Sequence, residues 1–252
     1  MRKCVVASAL ALGTLIASAA AQVSSSAPGE VDPHTVDTLA QETVRQQKTA
    51  ALTLAIVDQG RIVYSQALGF SDVENGVSAT PASEMRMASI AKPMTAIAAM
   101  QLAATGRLDL NAPVQQYCPA FPATTSPDGK PWPVTTRELQ SHRAGVRWYN
   151  DAELRNLKHY ANLNDAVRHF GAEPLLFAPR ERMQYSSYGY VVVGCAIEGA
   201  SGSTFTEYMQ RAVFAPAGMT ATVADDPFRI IPHRARSYEK TKRRRVGERP
   251  VL

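Results

Sequence analysis

Cysteine is scarce in this chain. Of three cysteines, Cys4 lies in the N-terminal segment, and only Cys118 and Cys195 follow it. Neither belongs to a Cys-x-x-Cys pair or has a His-rich neighbour, so no metal-binding pattern is present. An oxidising compartment would let the two pair. Their spacing alone does not put them in contact, and two separate buried thiols are the expectation. Long apolar runs are also missing after residue 22, so no later segment reads as a membrane span. Internal repeats are absent, which excludes a solenoid or propeller. The body lacks excess positive charge, although the whole chain carries +5 with a pI near 9.2. From Arg229 onward there are nine Lys/Arg against two Asp/Glu, and Arg2 and Lys3 stand at the other end. Residues 22–228 are therefore net acidic, which argues against a nucleic-acid-binding face on the body.

The first residues form a recognisable pattern. Arg2 and Lys3 make a positive start, Val5 to Ile16 is apolar, and Ala17-Ser18-Ala19-Ala20-Ala21-Gln22 supplies small residues. This predicts a signal peptide over 1–21, and with it an exported, periplasmic or extracellular protein. The stretch is too short and Ala-rich for an anchor, so no stable membrane insertion is expected after cleavage. Residues 22–33 read as a Ser/Pro/Gly linker.

Asp32 followed by Pro33 predicts a helix start, and the apolar period runs to about Gln47. Ala51–Val57 and Arg61–Leu68, separated by Asp58-Gln59-Gly60, predict a hairpin. Ser89 to Ala104 is the most apolar helix candidate, closed by Gly106. Asn111 to Pro133 holds six prolines and reads as extended. Thr135-Thr136-Arg137-Glu138 fits a capping box opening a short helix through Ser141. Residues 150–170 are expected to be helical, as are Ser187 to Ala200 and Phe205 to Val213. The fold class is α+β, and its two-stranded sheet calls for more strands.

Ser89-Ile90-Ala91-Lys92 carries the first chemistry. On a helix, positions i and i+3 share a face, so hydroxyl and amine stand together at a helix N-terminus. A serine hydroxyl is a poor nucleophile until a base accepts its proton. Desolvation or a nearby positive charge makes an amine fit for that task, and Ile90, Ala91, Met94, Ile97 and Ala98 offer apolar surroundings. The same tetrapeptide also fits an exposed serine beside a snorkelling lysine. Tyr185-Ser186-Ser187 opens a later helix. A phenol acts as a base where a cation stabilises its phenolate; it also fits a tyrosine packed at a helix start. His142 beside Ser141 reads as a structural histidine, since no acidic partner motif accompanies it.

With these landmarks in order, the chain resembles the β-lactamase-related serine hydrolases, in the class C β-lactamase, penicillin-binding protein, D-Ala-D-Ala carboxypeptidase and esterase branch. The landmarks begin with the Ser89/Lys92 helix, Gly106-Arg107-Leu108-Asp109-Leu110 and Pro113-Val114 leading to Tyr117 and Pro119. Val134 to Leu139 with Ser141-His142-x-x-Gly145 follows, then Phe177-x-Pro179 before Tyr185-Ser186-x-x-Gly189-Tyr190. Ala200-Ser201-Gly202 and Pro216-x-Gly218-Met219 come last. Val134 to Tyr149, His233 to Arg236 and Tyr238 are similar to the mitochondrial serine-protease members. The resemblance covers about Val36 to Tyr238 and implies one domain over 34–238, with 239–252 a basic tail.

The resemblance implies an antiparallel sheet flanked by helices, with a helical subdomain, as in β-lactamases and transpeptidases. It also implies an acyl-enzyme through Ser89, proton exchange by Lys92 and Tyr185, and substrate binding by Ser187. Substrates would be small molecules or peptides, with no cofactor. Three departures stand out. Ser187 occupies a place where many relatives have Asn. Pro93 removes a backbone donor and predicts a tight or distorted first turn. No His-x-Gly or Lys-Thr-Gly strand follows Tyr185, so later strands are expected to be missing, together with one oxyanion donor. That leaves an active exported hydrolase, with a catalytically impaired ligand-binding or assembly scaffold as the alternative.

Overall fold

The computed structural model describes residues 31–154 and 158–238. The signal peptide expected over 1–21, most of the linker over 22–33 and the basic tail over 239–252 lie outside the described residues. The chain divides into two compact units: one runs to Met85 and takes in the segment from Ile231, and the other is Arg86–Ile230.

The first unit opens with helix α1 (Pro33–Gln47). Asp32 caps it as expected, its carboxylate accepting from the His34 and Thr35 N–H groups. Strands β1 (Ala51–Asp58) and β2 (Arg61–Asp72) form the predicted antiparallel hairpin, and a two-residue strand β3 (Val77–Ser78) extends the sheet. The sequence pattern did not reveal β3. Two residues are too few for an alternation to register. Tyr64, buried on β2, bonds Asp37 on α1 and ties helix to sheet.

The second unit is built of helices. A tight 3-10 turn (Ala88–Ile90) runs straight into α2 (Ala91–Ala104). The expected helix start at Ser89 is therefore tight, as Pro93 foretold. Thr135 caps α3 (Thr136–Gln140) in the full reciprocal box with Glu138. Among its described residues, the region 150–170 is less helical than expected, with a short α4 (Asp151–Leu154) and a short α5 (Leu163–Arg168). Then come α6 (Ser187–Ser201), α7 (Phe205–Met209) and a wider helical turn over Gln210–Phe214.

Helix α6 is the axis of the core. Val192, Val193, Cys195, Ala196 and Ile197 are wholly buried on it, against Ala98, Ala99 and Leu102 of α2 and Leu139 of α3. Burying such side chains contributes about 1.5–3 kcal/mol each for the larger ones, which fixes α2 and α6 side by side. The expectation of two separate thiols is corrected here: Cys118 and Cys195 are both buried, but they form a disulfide. Gly199, one turn beyond Cys195, lets the two segments meet. A Cβ at Gly199 would lie 1.8 Å from the Tyr117 carbonyl oxygen, so only glycine admits the Tyr117–Cys118 backbone this close to α6.

Candidate active site

The packing of α2 against α6 brings both sequence motifs together. Ser89 stands in the tight turn that feeds α2, and Lys92 follows in the first turn of α2. Lys92 Nζ donates to Ser89 Oγ at 3.2 Å and to Ser187 Oγ at 3.1 Å. The Tyr185 hydroxyl donates to Ser89 Oγ at 2.8 Å. Lys92 and Tyr185 thus meet at the Ser89 hydroxyl, and Ser187 joins them through Lys92. Every contact lies within or at the edge of the 2.6–3.2 Å reach that proton transfer requires. Ser89 is exposed and Tyr185 is 40% exposed, so the cluster is open to an incoming molecule.

Each side chain is aimed by its own backbone. Ala88, just before Ser89, has φ of +44°, a left-handed conformation that an L-alanine adopts only under constraint. Strained residues of this kind gather at functional sites. At the other motif, Ser186 is 3% exposed and fully committed. Its hydroxyl accepts from the Gly189 N–H, capping α6, and donates to the Arg147 carbonyl at 2.7 Å. In Tyr185-Ser186-Ser187 the middle residue therefore holds the helix start, while its two neighbours face Ser89 and Lys92.

The electrostatics single out Tyr185. Burial pushes its phenol up, but the Lys92 ammonium and the Ser89 hydroxyl outweigh burial and hold it below the ordinary tyrosine value. Lys92 Nζ also sits 4.9 Å from the centre of the Tyr185 ring. The neighbouring tyrosines move the other way. Burial, then Glu153, drives Tyr188 up to about 12, and burial raises Tyr190. A phenol made more acidic beside a serine is suited to accept that serine's proton.

Around Tyr185 runs a set of rings: His142 at 4.3 Å between centroids, Trp148 at 5.3 Å, and Tyr149 against Trp148 at 4.4 Å. Arg147 anchors this loop. Its guanidinium bonds both Glu153 oxygens at 2.8 and 2.9 Å and also pairs with Glu173. Among the described residues, no three His, Cys, Asp or Glu side chains gather as metal ligands would. Neither the Arg147 anchor nor the Trp148 neighbour was visible in the sequence, since both depend on contacts across the chain.

Comparison with known proteins adds to this geometry. The family model described as Beta-lactamase matches residues 36–252. The human mitochondrial serine beta-lactamase-like protein LACTB is 30% identical, the match covering 80% of this chain and 48% of that protein. Protein flp of Staphylococcus aureus strain MRSA252 is 26% identical, over 81% of this chain and 40% of that protein. A solved penicillin-binding protein from Bacillus halodurans superposes with a TM-score of 0.64 at 26% identity, covering 78% of this chain and 60% of the other. The chain spans about half the length or less of these curated relatives.

Proposed function

Because the chain belongs to the β-lactamase family, with its mixed helix-and-sheet fold, we propose that it is a serine hydrolase working through an acyl-enzyme on Ser89. The observation that carries the reading is the single hydroxyl shared by Lys92 and Tyr185 at 3.2 and 2.8 Å.

Tyr185, as phenolate, takes the Ser89 proton across the 2.8 Å contact, with Lys92 stabilising its charge and able to share the proton. The freed Oγ attacks a carbonyl carbon, forming a tetrahedral adduct whose former carbonyl oxygen is a transient oxyanion. Collapse re-forms the carbonyl, leaves the acyl group as an ester on Ser89 and breaks the bond to the leaving group, which takes the proton held by the Tyr185–Lys92 pair. Water then attacks the acyl-enzyme, gives its proton to the same pair, and releases the acid while Ser89 regains its hydrogen. Ser187, bonded to Lys92, holds the amine in place and presents a hydroxyl to the substrate. The substrate class is a peptide, a β-lactam or an ester, bound as a small molecule or short chain, with no cofactor and no nucleic acid.

Export is part of the proposal. The N-terminal pattern over 1–21 supports a signal peptide, followed by the linker 22–33, the domain 34–238 and a basic tail. The Cys118–Cys195 disulfide supports an oxidising compartment. No helix among the described residues is long and apolar enough to cross a membrane.

The test is covalent labelling. A fluorophosphonate probe or a reporter-tagged penicillin should modify one residue, mapped by peptide mass spectrometry to Ser89, and Ser89→Ala should take none. A folded protein that takes neither probe would favour the alternative, a scaffold that binds ligands without turning them over.

A further inference from the structure

Helices α2 and α3 end in the same way. In each, the residue two past the helix is left-handed and its N–H bonds back into the last turn, while the next N–H reaches the carbonyl one residue earlier. At α2 these are Gly106 to Ala103 and Arg107 to Leu102, at 3.0 and 2.9 Å. At α3 they are His142 to Leu139 and Arg143 to Glu138, at 3.2 and 2.7 Å. Gly106 has φ of +70° and His142 φ of +58°. Glycine is the usual occupant because it carries no Cβ penalty. A histidine in that place costs backbone energy, so its side chain is the feature to explain.

His142 holds Tyr185 from three directions, one through its backbone and two through its side chain. The His142 carbonyl accepts from the Gln184 N–H at 2.8 Å, just before Tyr185. Its Nδ1 accepts from the Ser186 N–H at 3.2 Å, just after Tyr185. Its ring packs on the Tyr185 ring at 4.3 Å and on the Tyr190 ring at 5.3 Å. Tyr190 is itself fixed by its hydroxyl bond to the Gln140 carbonyl at 3.0 Å.

We propose that His142 is a positioning residue for Tyr185, and that it can do this only as the neutral imidazole with Nδ1 free to accept, which makes the site acid-sensitive. The inference rests on the reading of Tyr185 as the proton acceptor for Ser89. An imidazolium has two donors and no acceptor, so protonation breaks the Ser186 bond and sets a second positive charge beside the cluster. Lys92 on α2 is the charged group facing the ring; Tyr185 and Tyr190 are the titratable groups packed on it, and Arg143 follows it in the chain. Burial first, then the Lys92 charge, pushes His142 below the ordinary histidine value. The neutral form is therefore present at neutral pH and is lost only as pH falls through a midpoint below the ordinary histidine value.

The test compares wild type, His142→Asn and His142→Leu by fluorophosphonate labelling of Ser89 across pH. Asn Oδ1 takes the place of Nδ1, tolerates the left-handed backbone and does not titrate. His142→Leu removes the acceptor and should slow labelling by about 10²-fold, the usual cost of a misplaced catalytic group. His142→Asn should recover most of that rate and lose the extra steepening that His142 protonation adds at acid pH, leaving only the rise with pH set by Tyr185. The Ser186 amide resonance, followed by NMR, should titrate in wild type and stay fixed in His142→Asn. The same acid steepening in His142→Asn as in wild type, or wild-type labelling in His142→Leu, would overturn the inference. An unlabelled wild-type protein whose Ser186 resonance still titrates would defeat the hydrolase reading and leave the His142–Tyr185 tie standing.

Discussion

If Lys92 and Tyr185 act as one proton-handling unit, removing either should cost nearly as much as removing both. Tyr185→Phe deletes only the hydroxyl that stands 2.8 Å from Ser89. The ring stays, packed between His142 and Trp148. Loss of a positioned proton acceptor typically costs about 10²–10⁴-fold, or roughly 3–5 kcal/mol of barrier. Lys92→Met removes both bonds from Nζ and should cost a similar factor. In a shared unit the double variant falls only to about the level of the worse single one. Independent roles would instead multiply to roughly 10⁴–10⁸-fold.

The assay is the rate of Ser89 phosphonylation by a fluorophosphonate, measured across pH. Tyr185 is a base only when ionised, and its phenol lies below the ordinary value. The rate should therefore rise with pH through a midpoint below about 10 and then level off. Lys92→Met removes the cation that favours the phenolate, so the midpoint should move up. Log-additive losses, or a midpoint that stays put in Lys92→Met, would refute the reasoning.

Two further expectations concern the frame. The disulfide closes a loop with a sequence separation of 77 residues, worth about 4.5 kcal/mol by loop-closure entropy; Cys118→Ala with Cys195→Ala should lower the urea midpoint accordingly. The unreduced native protein should take up no alkylating reagent at either cysteine, and a loss under about 1 kcal/mol would contradict the link. Glu153 is held at about 2, first by its hydrogen bonds with Arg147, against burial and with help from the Asn150 N–H. Its contribution to stability is complete above the ordinary carboxylate value near 4.5 and is lost as pH falls toward about 2. Thermal melts in that window should fall more steeply for wild type than for Glu153→Gln, and parallel curves would count against the anchor.

What could be read from the sequence was local. The Ser89/Lys92 pair is an i, i+3 relation, and the Asp32 and Thr135 caps are decided within three residues, so pattern alone finds them. Pro93 likewise foretold the tight turn over Ala88–Ile90. Tyr185 and Ser187 were found by motif order, because nothing near them in the chain says that they meet Lys92. The failures were of long range or short length. Gly199 inside an apolar helix was the available hint that another backbone comes close, yet it did not name Cys118 as the partner. The two bonds that tie His142 to Gln184 and Ser186 span more than forty residues, and no periodicity encodes them. Residues 150–170 were expected to be helical, yet the Arg147 bond to Glu153 and its pairing with Glu173 are contacts that no local pattern encodes.

The most direct measurement is the trapped intermediate. A p-nitrophenyl ester mixed with the protein and quenched in acid should give a burst of nitrophenol equal to the protein present, with the acyl group on the Ser89 peptide, and Ser89→Ala should give none. A burst that survives Ser89→Ala, or an acyl group found on any other residue, would contradict the account.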